Sequence, residues 1–366
     1  MRVLIYETGQ IGHRPIYRNY YKSALEQCGV TVEMHTTPVY ARHFGFNQYL
    51  QSVAEKRGCD LIHLLTLDDH TRRLFLSHPA SQASSQKPVV GTDYLYQNIV
   101  HYLKGWGIRH LFKQGKINAL IVPSLMQLLS PQIMSVLPIQ VYPLPDPEPP
   151  NELGVGSKPD SLKALGISQD WARMKIVLVF GVLNKRRGVD QIVRMIEEKI
   201  NITSGIRFIF AGRIDRESIG GKVVDSLIRL DKAGNAKVID RWISSYEVAL
   251  LYHIADVFCI MPHKKFLGGN STVAQALKAG LTVVAPEDSI AGKCAAYYDR
   301  AVLFRRGDSY DFLRSLREAG AKERNNHSPE RPGKDISLSV GIRDFGHLLV
   351  SAYNSVYSRF SNRDLV

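Results

Sequence analysis

The chain has 366 residues, of which 45% are hydrophobic and 22% are charged. This length is too great for one ordinary core and predicts two domains, while the composition excludes a disordered protein. The formal net charge of +13 favours acidic partners, namely nucleic acid, an anionic membrane surface or phosphorylated small molecules.

No segment has the pattern of a secretion signal or a membrane span. The apolar run before Glu7 is too short for a signal peptide, and the longest apolar segment, 176–183, is interrupted by Gly181. The four cysteines form no C-x-x-C pair, which is typical of reduced thiols in a cytosol. We therefore expect a cytoplasmic protein, and peripheral contact with the inner face of a membrane is left open.

The first predicted strand, Arg2 to Tyr6, ends in a loop that contains Gly12, His13 and Arg14. Open α/β sheets bind ligands at the carboxyl ends of their strands, so this loop is a candidate ligand-binding segment. It does not fit the fingerprint G-x-G-x-x-G, which excludes a nicotinamide site. An equally good interpretation is that its glycines only shape a turn.

The rest of the first half alternates between predicted helices and strands, with strands at 30–35, 61–67, 89–92, 118–123 and 141–144. Asp93 follows one of these strands, where it is a candidate general base or acceptor of a sugar hydroxyl, although it equally fits a helix cap. The segment from Tyr94 to Lys116 combines aromatic and basic residues without an acid. It fits either a helix on an anionic membrane surface or an ordinary helix that packs on the sheet. A proline-rich run at 143–150 cannot continue a strand or a helix and marks the domain boundary.

The second half opens a new α/β series, with predicted strands at 175–180, 206–211, 237–240, 256–261 and 282–285. Because each strand is followed by a helix, the sequence predicts a parallel sheet. Arg213 follows the second of these strands, and Trp242 and Ile243 follow the third. Backbone groups and an aromatic ring at such strand ends can hold a nucleobase.

Two segments of the second half predict a phosphate site. The turn 183–188 places Lys185 and Arg187 after a buried strand, and a guanidinium matches a diphosphate by charge and bidentate bonding. A helix predicted to start near residue 271 has N-terminal N–H groups that favour an anion. Its loop and capping residues are Gly269, Asn270, Ser271 and Thr272. Glycine before a capped helix is common, so this second motif is weak by itself.

Four segments together carry a resemblance to a known family: FGVLNKRRGVD at 180–190, IFAGR at 209–213, SSYEVALLYHIADVFCIMP at 244–262 and GGNSTVAQALKAGLTVVAP at 268–286. In their order and spacing they resemble the donor-binding domain of nucleotide-sugar glycosyltransferases of the GT-B fold. The similar family is the retaining glycosyltransferase family 4, or group 1, related to sucrose and phosphatidylinositol glycosyltransferases. LIVPS at 120–124 and PLPDP at 143–147 fit the end of the first domain and the linker in that family.

The resemblance implies an α/β protein with two Rossmann-like domains whose parallel sheets face a central cleft. The implied domains are an acceptor-side domain at 1–146 and a donor-binding domain at 147–344. A C-terminal helix at about 345–366 is implied to pack back on the first domain.

The resemblance also implies roles for single residues. The helix N-terminus at 270–272 and the cation Arg187 would hold the donor diphosphate. Where the family has two glutamates, this sequence has Leu267 and Gln275. Gln275 can still bond a ribose diol through its amide.

The implied activity is that of a glycosyltransferase, here a hexosyltransferase. It would move a sugar from a nucleoside-diphosphate sugar to a glycan or lipid-linked acceptor in polysaccharide or glycoconjugate synthesis. Helix N–H groups and cations would stabilise the departing nucleoside diphosphate, so no metal and no cofactor are expected. His13 and Asp93 are the candidates for orienting the acceptor or accepting its proton. The resemblance leaves open whether the reaction retains or inverts configuration.

Two other classes of protein fit parts of the sequence. A non-catalytic GT-B relative that binds or regulates an active transferase would explain the loss of both glutamates. A nucleic-acid binder is suggested by the net charge, but the sequence lacks any recognition motif, so nucleic acid is not an expected partner.

Overall fold

The computed structural model of the chain describes residues 1–8, 14–36, 45–67, 74, 76, 86–92, 106–123, 140–144, 156–199, 205–263, 271–322 and 341–363. Two six-stranded sheets lie within these residues, and every strand pair in them is parallel. The chain divides into two compact units. The first unit holds the described residues up to Leu144 together with the C-terminal helix, and the second holds the described residues from 156 to 322.

The first sheet has the strand order β2-β1-β3-β4-β5-β6. Its strands are β1 (Arg2–Tyr6), β2 (Thr31–His35), β3 (Leu61–Leu64), β4 (Val89–Thr92), β5 (Ala119–Pro123) and β6 (Gln140–Leu144). The described helices of this unit are α1 (Arg14–Gln27), α2 (Phe46–Lys56), α3 (Trp106–Lys113) and the C-terminal α12 (Ile342–Arg363).

The first sheet is buried on both faces, which is why its central strands are continuous apolar runs. Along β1, Val3 and Ile5 pack with α1 and α12, whereas Leu4 and Tyr6 pack with α2 on the other face. Successive side chains of a strand point to opposite faces, so β1 contributes to two cores at once. The N-terminal end of α1 consequently lies at the carboxyl edge of the sheet.

The helix α12 is bound to the first unit through its buried face. Phe345 is fully buried, and its ring lies 5.0 Å from the ring of Tyr21 on α1. The ring of His63 on β3 is also fully buried, with Nδ1 2.6 Å from the hydroxyl of Tyr353 and Nε2 2.7 Å from Oγ1 of Thr92. Burial lowers the pKa of His63 to about 3, so its imidazole is neutral at physiological pH.

The second sheet has the strand order β12-β11-β10-β7-β8-β9. Its strands are β7 (Lys175–Phe180), β8 (Ile206–Ala211), β9 (Ala236–Ile239), β10 (Val257–Cys259), β11 (Thr282–Pro286) and β12 (Ala301–Phe304). The described helices of this unit are α4 (Lys158–Ala164), α5 (Val189–Lys199), α6 (Arg216–Ile219), α7 (Gly221–Lys232), α8 (Ser245–Ile254), α9 (Ser271–Lys278), α10 (Ile290–Tyr297) and α11 (Ser309–Ala321).

In each sheet, successive strands are first added on one side of the first strand and later ones on its other side, which creates one topological switch point. In the first sheet this switch point lies between β1 and β3, and in the second it lies between β7 and β10. The loops that leave neighbouring strands at a switch point run to opposite faces of the sheet and leave a crevice between them. Open α/β sheets bind their ligands in that crevice, beyond the carboxyl ends of the strands.

The predicted α/β fold with parallel sheets is confirmed, and most strand bounds agree with the predictions. The predicted strand 141–144 is present as β6, which extends through Pro143 to Leu144, and residues 145–150 of the proline-rich run lie outside the described residues. β6 is an edge strand, where proline can replace an N–H group that has no neighbouring strand to bond. The last strand, β12, has no counterpart among the predicted strands. None of the described helices is long and apolar enough to cross a membrane.

The buried His63 predicts an acid-dependent loss of stability. The ordinary pKa of histidine is 6.5, whereas the pKa of His63 in the folded chain is about 3. Below pH 6.5 the unfolded chain therefore binds a proton that the folded chain does not bind. Its contribution is therefore complete above pH 6.5 and is lost as the pH falls toward 3. We expect His63→Gln to flatten the slope of unfolding free energy against pH, between pH 6 and 4, by up to about 1.4 kcal/mol per pH unit.

The measurement is urea unfolding at a series of pH values. The control is His347→Gln, which removes an exposed histidine from α12 and should leave the slope unchanged. Equal slopes for the wild type and His63→Gln would contradict a neutral, buried His63.

Candidate functional site

The turn after β7 is fixed by side-chain and backbone constraints. Asn184 accepts a hydrogen bond at Oδ1 from the backbone N–H of Arg187, at 3.0 Å, which caps the single 3-10 turn Lys185–Arg187. Gly188 then adopts the left-handed conformation, with φ of 71°, and α5 begins at the next residue. The three cationic side chains of this turn are thus placed directly beyond the carboxyl end of β7.

Glycines allow the segments that follow β7, β8 and β10 to approach each other closely. A Cβ atom on Gly188 would lie 1.8 Å from the carbonyl oxygen of Met261, which follows β10. A Cβ atom on Gly212, after β8, would lie 2.0 Å from the carbonyl oxygen of Gly181, after β7. Side chains at these positions would push the segments apart, so glycine is required here for contact between neighbouring loops.

Arg187 is the most constrained side chain of the site. Its guanidinium lies against Gly181, where a Cβ atom would be 2.8 Å from Cζ. Nη1 of Arg187 donates hydrogen bonds to the carbonyl of Phe180 and to Oγ1 of Thr272, each at 3.2 Å. Burial, together with the neighbouring charge of Arg186, lowers the pKa of Arg187 to about 10. The group is therefore still a cation at neutral pH.

The charge of Arg187 is not neutralised within the part of the chain that the structure describes. Both of its hydrogen-bond acceptors are uncharged oxygens, and none of the described carboxylates pairs with it. Buried charges in proteins are normally paired, because taking a charge out of water is costly. A half-buried guanidinium at a switch point, with no carboxylate partner among the described residues, has the arrangement expected of a site that binds an anionic ligand.

The first turn of α9 contributes to the same site. Thr272 is buried, and its carbonyl accepts a hydrogen bond from the hydroxyl of Tyr252 on α8 at 3.0 Å. The ring of Tyr252 packs edge-on against Phe180 at 5.8 Å, so α8 holds the start of α9 near the end of β7. The first turn of α9 contains no acidic residue. The positive end of its helix dipole therefore adds to the positive potential around Arg187.

The structure brings only part of the predicted phosphate site together. Arg187 and Thr272 are in contact, whereas Lys185 is exposed and its side chain has no hydrogen bond to a described residue; its backbone N–H donates to Oγ of Ser218 at 3.1 Å. Gln275 lies one turn further along α9, is partly exposed and has no side-chain hydrogen bond to a described residue. Three predicted positions lie outside what the structure describes, namely Gly269, Asn270 and the side chain of Ser271.

The predicted base-binding residues form an exposed platform beyond β8 and β9. The guanidinium of Arg213 lies 5.4 Å from the centre of the Trp242 ring, a cation–π arrangement, and Trp242 is 48% exposed. Arg241 and Glu247 form an ion pair beside it, and the same glutamate caps α8 together with Ser244. Ile243, which is half-buried, connects the platform to this cap.

Most of the predicted residues of the first unit cannot be placed. Gly12, His13 and Asp93 lie outside the described residues, while Arg14 begins α1 with Nη1 3.8 Å from Oε1 of Glu7. Glu7 is fully buried and also accepts a hydrogen bond from the hydroxyl of Thr66. Sequence reasoning missed Glu7 as a site residue, although its position after a buried strand is a usable signal.

Two other contributors to the site in the second unit were also beyond sequence reasoning. The carbonyl of Phe180 and the hydroxyl of Tyr252 have no pattern that marks them, since their roles depend on contacts with residues distant in sequence. Among the described residues, no group of histidine, cysteine and acidic side chains is arranged to hold a metal ion.

No protein-family model and no curated protein sequence matches this chain. Solved structures do match it along its whole length. Sucrose-phosphate synthase from Thermosynechococcus elongatus is 13% identical, with a TM-score of 0.59 over 100% of this chain and 98% of that one. The Anabaena protein HepE, in complex with UDP and glucose, is 13% identical, with a TM-score of 0.58 over 99% of both chains.

The glycosyltransferase WaaG, described as involved in lipopolysaccharide biosynthesis, is 14% identical, with a TM-score of 0.58 over 98% of this chain and 97% of that one. These matches, together with the two parallel sheets and their switch points, decide the architecture. The chain has the GT-B fold. Within this GT-B chain, the second unit carries the unpaired Arg187 and the first carries the pair of Glu7 and Arg14.

The close approach of the loops predicts a strong dependence on one glycine. Gly188 and Gly234 have nearly the same φ, 71° and 70°, but only Gly188 has a neighbour within reach of a Cβ atom. We expect Gly234→Ala to cost about 1–2 kcal/mol, the strain of a left-handed residue. Gly188→Ala adds a collision with the Met261 carbonyl and should cost about 4 kcal/mol or more.

Urea unfolding of the two variants beside the wild type measures both costs. Similar costs for the two substitutions would show that the segments after β7 and β10 are not in contact at Gly188.

Proposed function

We propose that this protein is a glycosyltransferase that uses a nucleoside-diphosphate sugar as its donor. The observation that carries the proposal is the half-buried Arg187, a cation at the switch point of a GT-B sheet with no negative partner among the described residues. A donor diphosphate supplies the missing negative charge, and its oxygens accept the two parallel hydrogen bonds that a guanidinium offers. The resemblance of the sequence to glycosyltransferase family 4 supports the same interpretation.

Arg187 and the start of α9 act on the leaving group in this proposal. Negative charge develops on the nucleoside diphosphate as the bond to the sugar breaks, and a fixed cation and fixed N–H groups stabilise that charge without reorganising. Burial strengthens the effect, because charges interact more strongly where water is excluded. Under this proposal the reaction requires neither a metal ion nor a cofactor. Lys185, Gly269, Asn270 and Ser271 are proposed to complete the diphosphate site.

Recognition of the nucleoside is assigned to the platform beyond β8 and β9. The exposed ring of Trp242 offers a stacking surface for a base. The guanidinium of Arg213 lies over the same ring, which shows that a planar group can be accommodated there. Ile243 would line the same pocket. Gln275, on the exposed part of α9, would bond the ribose hydroxyls through its amide.

The acceptor side of the proposal depends on the first unit. We propose a glycan or lipid-linked acceptor, transfer of a hexosyl group, and a role in polysaccharide or glycoconjugate synthesis at the cytoplasmic face of a membrane. WaaG, whose described role is in lipopolysaccharide biosynthesis, and HepE, bound to UDP and glucose, are structurally similar proteins that support this choice. His13 and Asp93 are proposed to orient the acceptor hydroxyl or to accept its proton.

Calorimetric titration of the purified chain with UDP, GDP and ADP, in the presence of a chelator, tests the donor site. We expect micromolar binding of one of the three. Arg187→Ala should weaken that binding about 10- to 100-fold, because it removes charge-assisted hydrogen bonds of about 1.5–3 kcal/mol. The matched control is Arg229→Ala, which removes an exposed arginine that pairs with Glu197 on the surface of the same unit. It should leave the affinity unchanged.

Binding that requires magnesium, or equal affinities for the wild type and Arg187→Ala, would contradict the site. A separate measurement addresses catalysis: slow hydrolysis of the matching nucleotide sugar in the absence of acceptor is expected. Nucleotide binding without any turnover of donor would leave a binding protein and contradict the proposed enzyme.

The platform can be tested apart from the diphosphate site. Trp242→Ala should weaken binding of the nucleoside diphosphate about tenfold, since stacking of a base on an aromatic ring contributes about 1–3 kcal/mol. It should leave binding of inorganic pyrophosphate unchanged, whereas Arg187→Ala should weaken both. Tyr310→Ala, at a 70% exposed aromatic residue of α11, serves as the control for loss of a surface ring. A parallel loss of pyrophosphate binding in Trp242→Ala would show that the ring acts on the fold of the site.

A further inference from the structure

The platform of Arg213 and Trp242 is connected through backbone hydrogen bonds to the segment that follows β7. The carbonyl of Arg213 accepts a hydrogen bond from the N–H of Leu183, after β7, at 2.9 Å. The N–H of Gly212 donates to the carbonyl of Ile239, the last residue of β9, also at 2.9 Å. Neighbouring strands lie about 4.8 Å apart and β8 lies between β7 and β9, so the segments after β7 and β9 begin about 10 Å from each other. A base on the platform and a diphosphate beyond β7 can therefore belong to one nucleotide.

The guanidinium of Arg213 is available to a ligand. The side chain is exposed and, within the described part of the chain, forms no hydrogen bond and no ion pair. Its contact is with the ring of Trp242, whose centre lies 5.4 Å from Cζ. This contact restricts the arginine side chain and so reduces the entropy that ordering it on a ligand would cost. The five N–H donors of the guanidinium remain available for hydrogen bonds to that ligand.

The two carboxylates beside the platform are already bonded to arginines. Asp240 accepts a hydrogen bond from the backbone N–H of Ile214 at Oδ1 and pairs with Arg216 at Oδ2. Both carboxylate oxygens of Glu247 accept hydrogen bonds from Arg241, which lowers the pKa of Glu247 to about 2. These two carboxylates thus stabilise the loops of the platform. The charged group that the platform presents to a base is a donor, and it selects acceptor atoms on that base.

Guanine is the base whose acceptors match a guanidinium. Its edge presents N7 and O6 side by side, and a guanidinium bonds to both through two parallel N–H groups. Adenine has an amino donor beside N7, and an N–H group separates the two carbonyl oxygens of uracil, so neither base offers two adjacent acceptors. We propose that the base site of this protein selects guanine through Arg213, so that its donor is a guanosine-diphosphate sugar. The inference rests on the proposed glycosyltransferase function and names the nucleotide of that donor.

The ring of Trp242 has room for a base beside the guanidinium. Trp242 is 48% exposed, and the 5.4 Å between Cζ of Arg213 and the ring centre exceeds the about 3.5–4.0 Å of direct contact. The guanidinium therefore does not cover the centre of the ring. A guanidinium that bonds to the edge of a base lies in the plane of that base, so both groups can rest on one face of the indole. The two fused rings of guanine also stack over a larger area than the single ring of uracil.

The test compares nucleotides that differ in the atoms assigned to Arg213. Calorimetric titration with GDP, UDP, ADP and 7-deaza-GDP, in the presence of a chelator, is expected to show that GDP binds about tenfold or more tightly than UDP and ADP. In 7-deaza-GDP a C–H group replaces N7, while O6, the ribose and the diphosphate are unchanged. It should bind about tenfold more weakly than GDP, because one of the two hydrogen bonds to the guanidinium is lost.

Substitutions of Arg213 then show whether this side chain causes the preference. In Arg213→Ala the affinity for GDP should fall to that for 7-deaza-GDP, so that the ratio of the two affinities becomes about one. Arg213→Lys keeps the charge but lacks the two parallel donors, and it should retain part of the ratio. Arg229→Ala, at an exposed arginine that pairs with Glu197, is the matched control and should keep the wild-type ratio. Thermal unfolding of Arg213→Ala is expected to match the wild type, since the side chain is exposed and lacks hydrogen bonds within the described chain.

The outcomes separate this inference from the proposed donor site. Tighter binding of UDP or ADP than of GDP, or equal ratios of GDP to 7-deaza-GDP affinity in the wild type and Arg213→Ala, overturns the inference. If such binding still depends on Arg187, the donor site stands. GDP binding that depends on Arg213 but is unchanged in Arg187→Ala supports the guanine site and refutes the diphosphate site. Absence of binding by all four nucleotides refutes both.

Discussion

A positive charge that is partly removed from water, with no negative partner among the described residues, is the constraint on which the second unit depends. Arg187 can occupy its place only because Phe180 and Thr272 supply oxygens to its guanidinium, and because glycine at position 181 leaves room for the group. These neutral partners do not offset the full cost of burying a charge. In the proposed donor site, an entering diphosphate would offset this cost, as ligands commonly do at binding sites.

The two units have the same architecture but carry different charged side chains at their switch points. Each is a parallel sheet with a switch point, and in each the loops that leave the central strands carry the charged groups. In the second unit the charged group is the half-buried cation Arg187, whereas in the first it is the buried carboxylate of Glu7, which pairs with Arg14. A parallel sheet therefore determines where a ligand binds, and the first residues of each loop determine which ligand it is.

The sequence predicted those parts of the structure that depend on local pattern. Continuous apolar runs gave the bounds of β7 and β8, and the cationic turn that holds Arg187 followed from its place after a buried strand. The strand β12 was missed because its apolar run, AVLF, is only four residues long. The contacts of Tyr252 and Phe180 could not be predicted from the sequence, since they join residues far apart in the chain.

The position of α12 in the chain has a consequence for the order of folding during synthesis. The described residues of the second unit all lie between 156 and 322, and its core is complete once that part of the chain has left the ribosome. The first unit begins at the N-terminus but takes Phe345 and Tyr353 into its core from the last helix. The domain that is synthesised first therefore finishes folding last, and until then an apolar face of its sheet is exposed to chaperones and proteases.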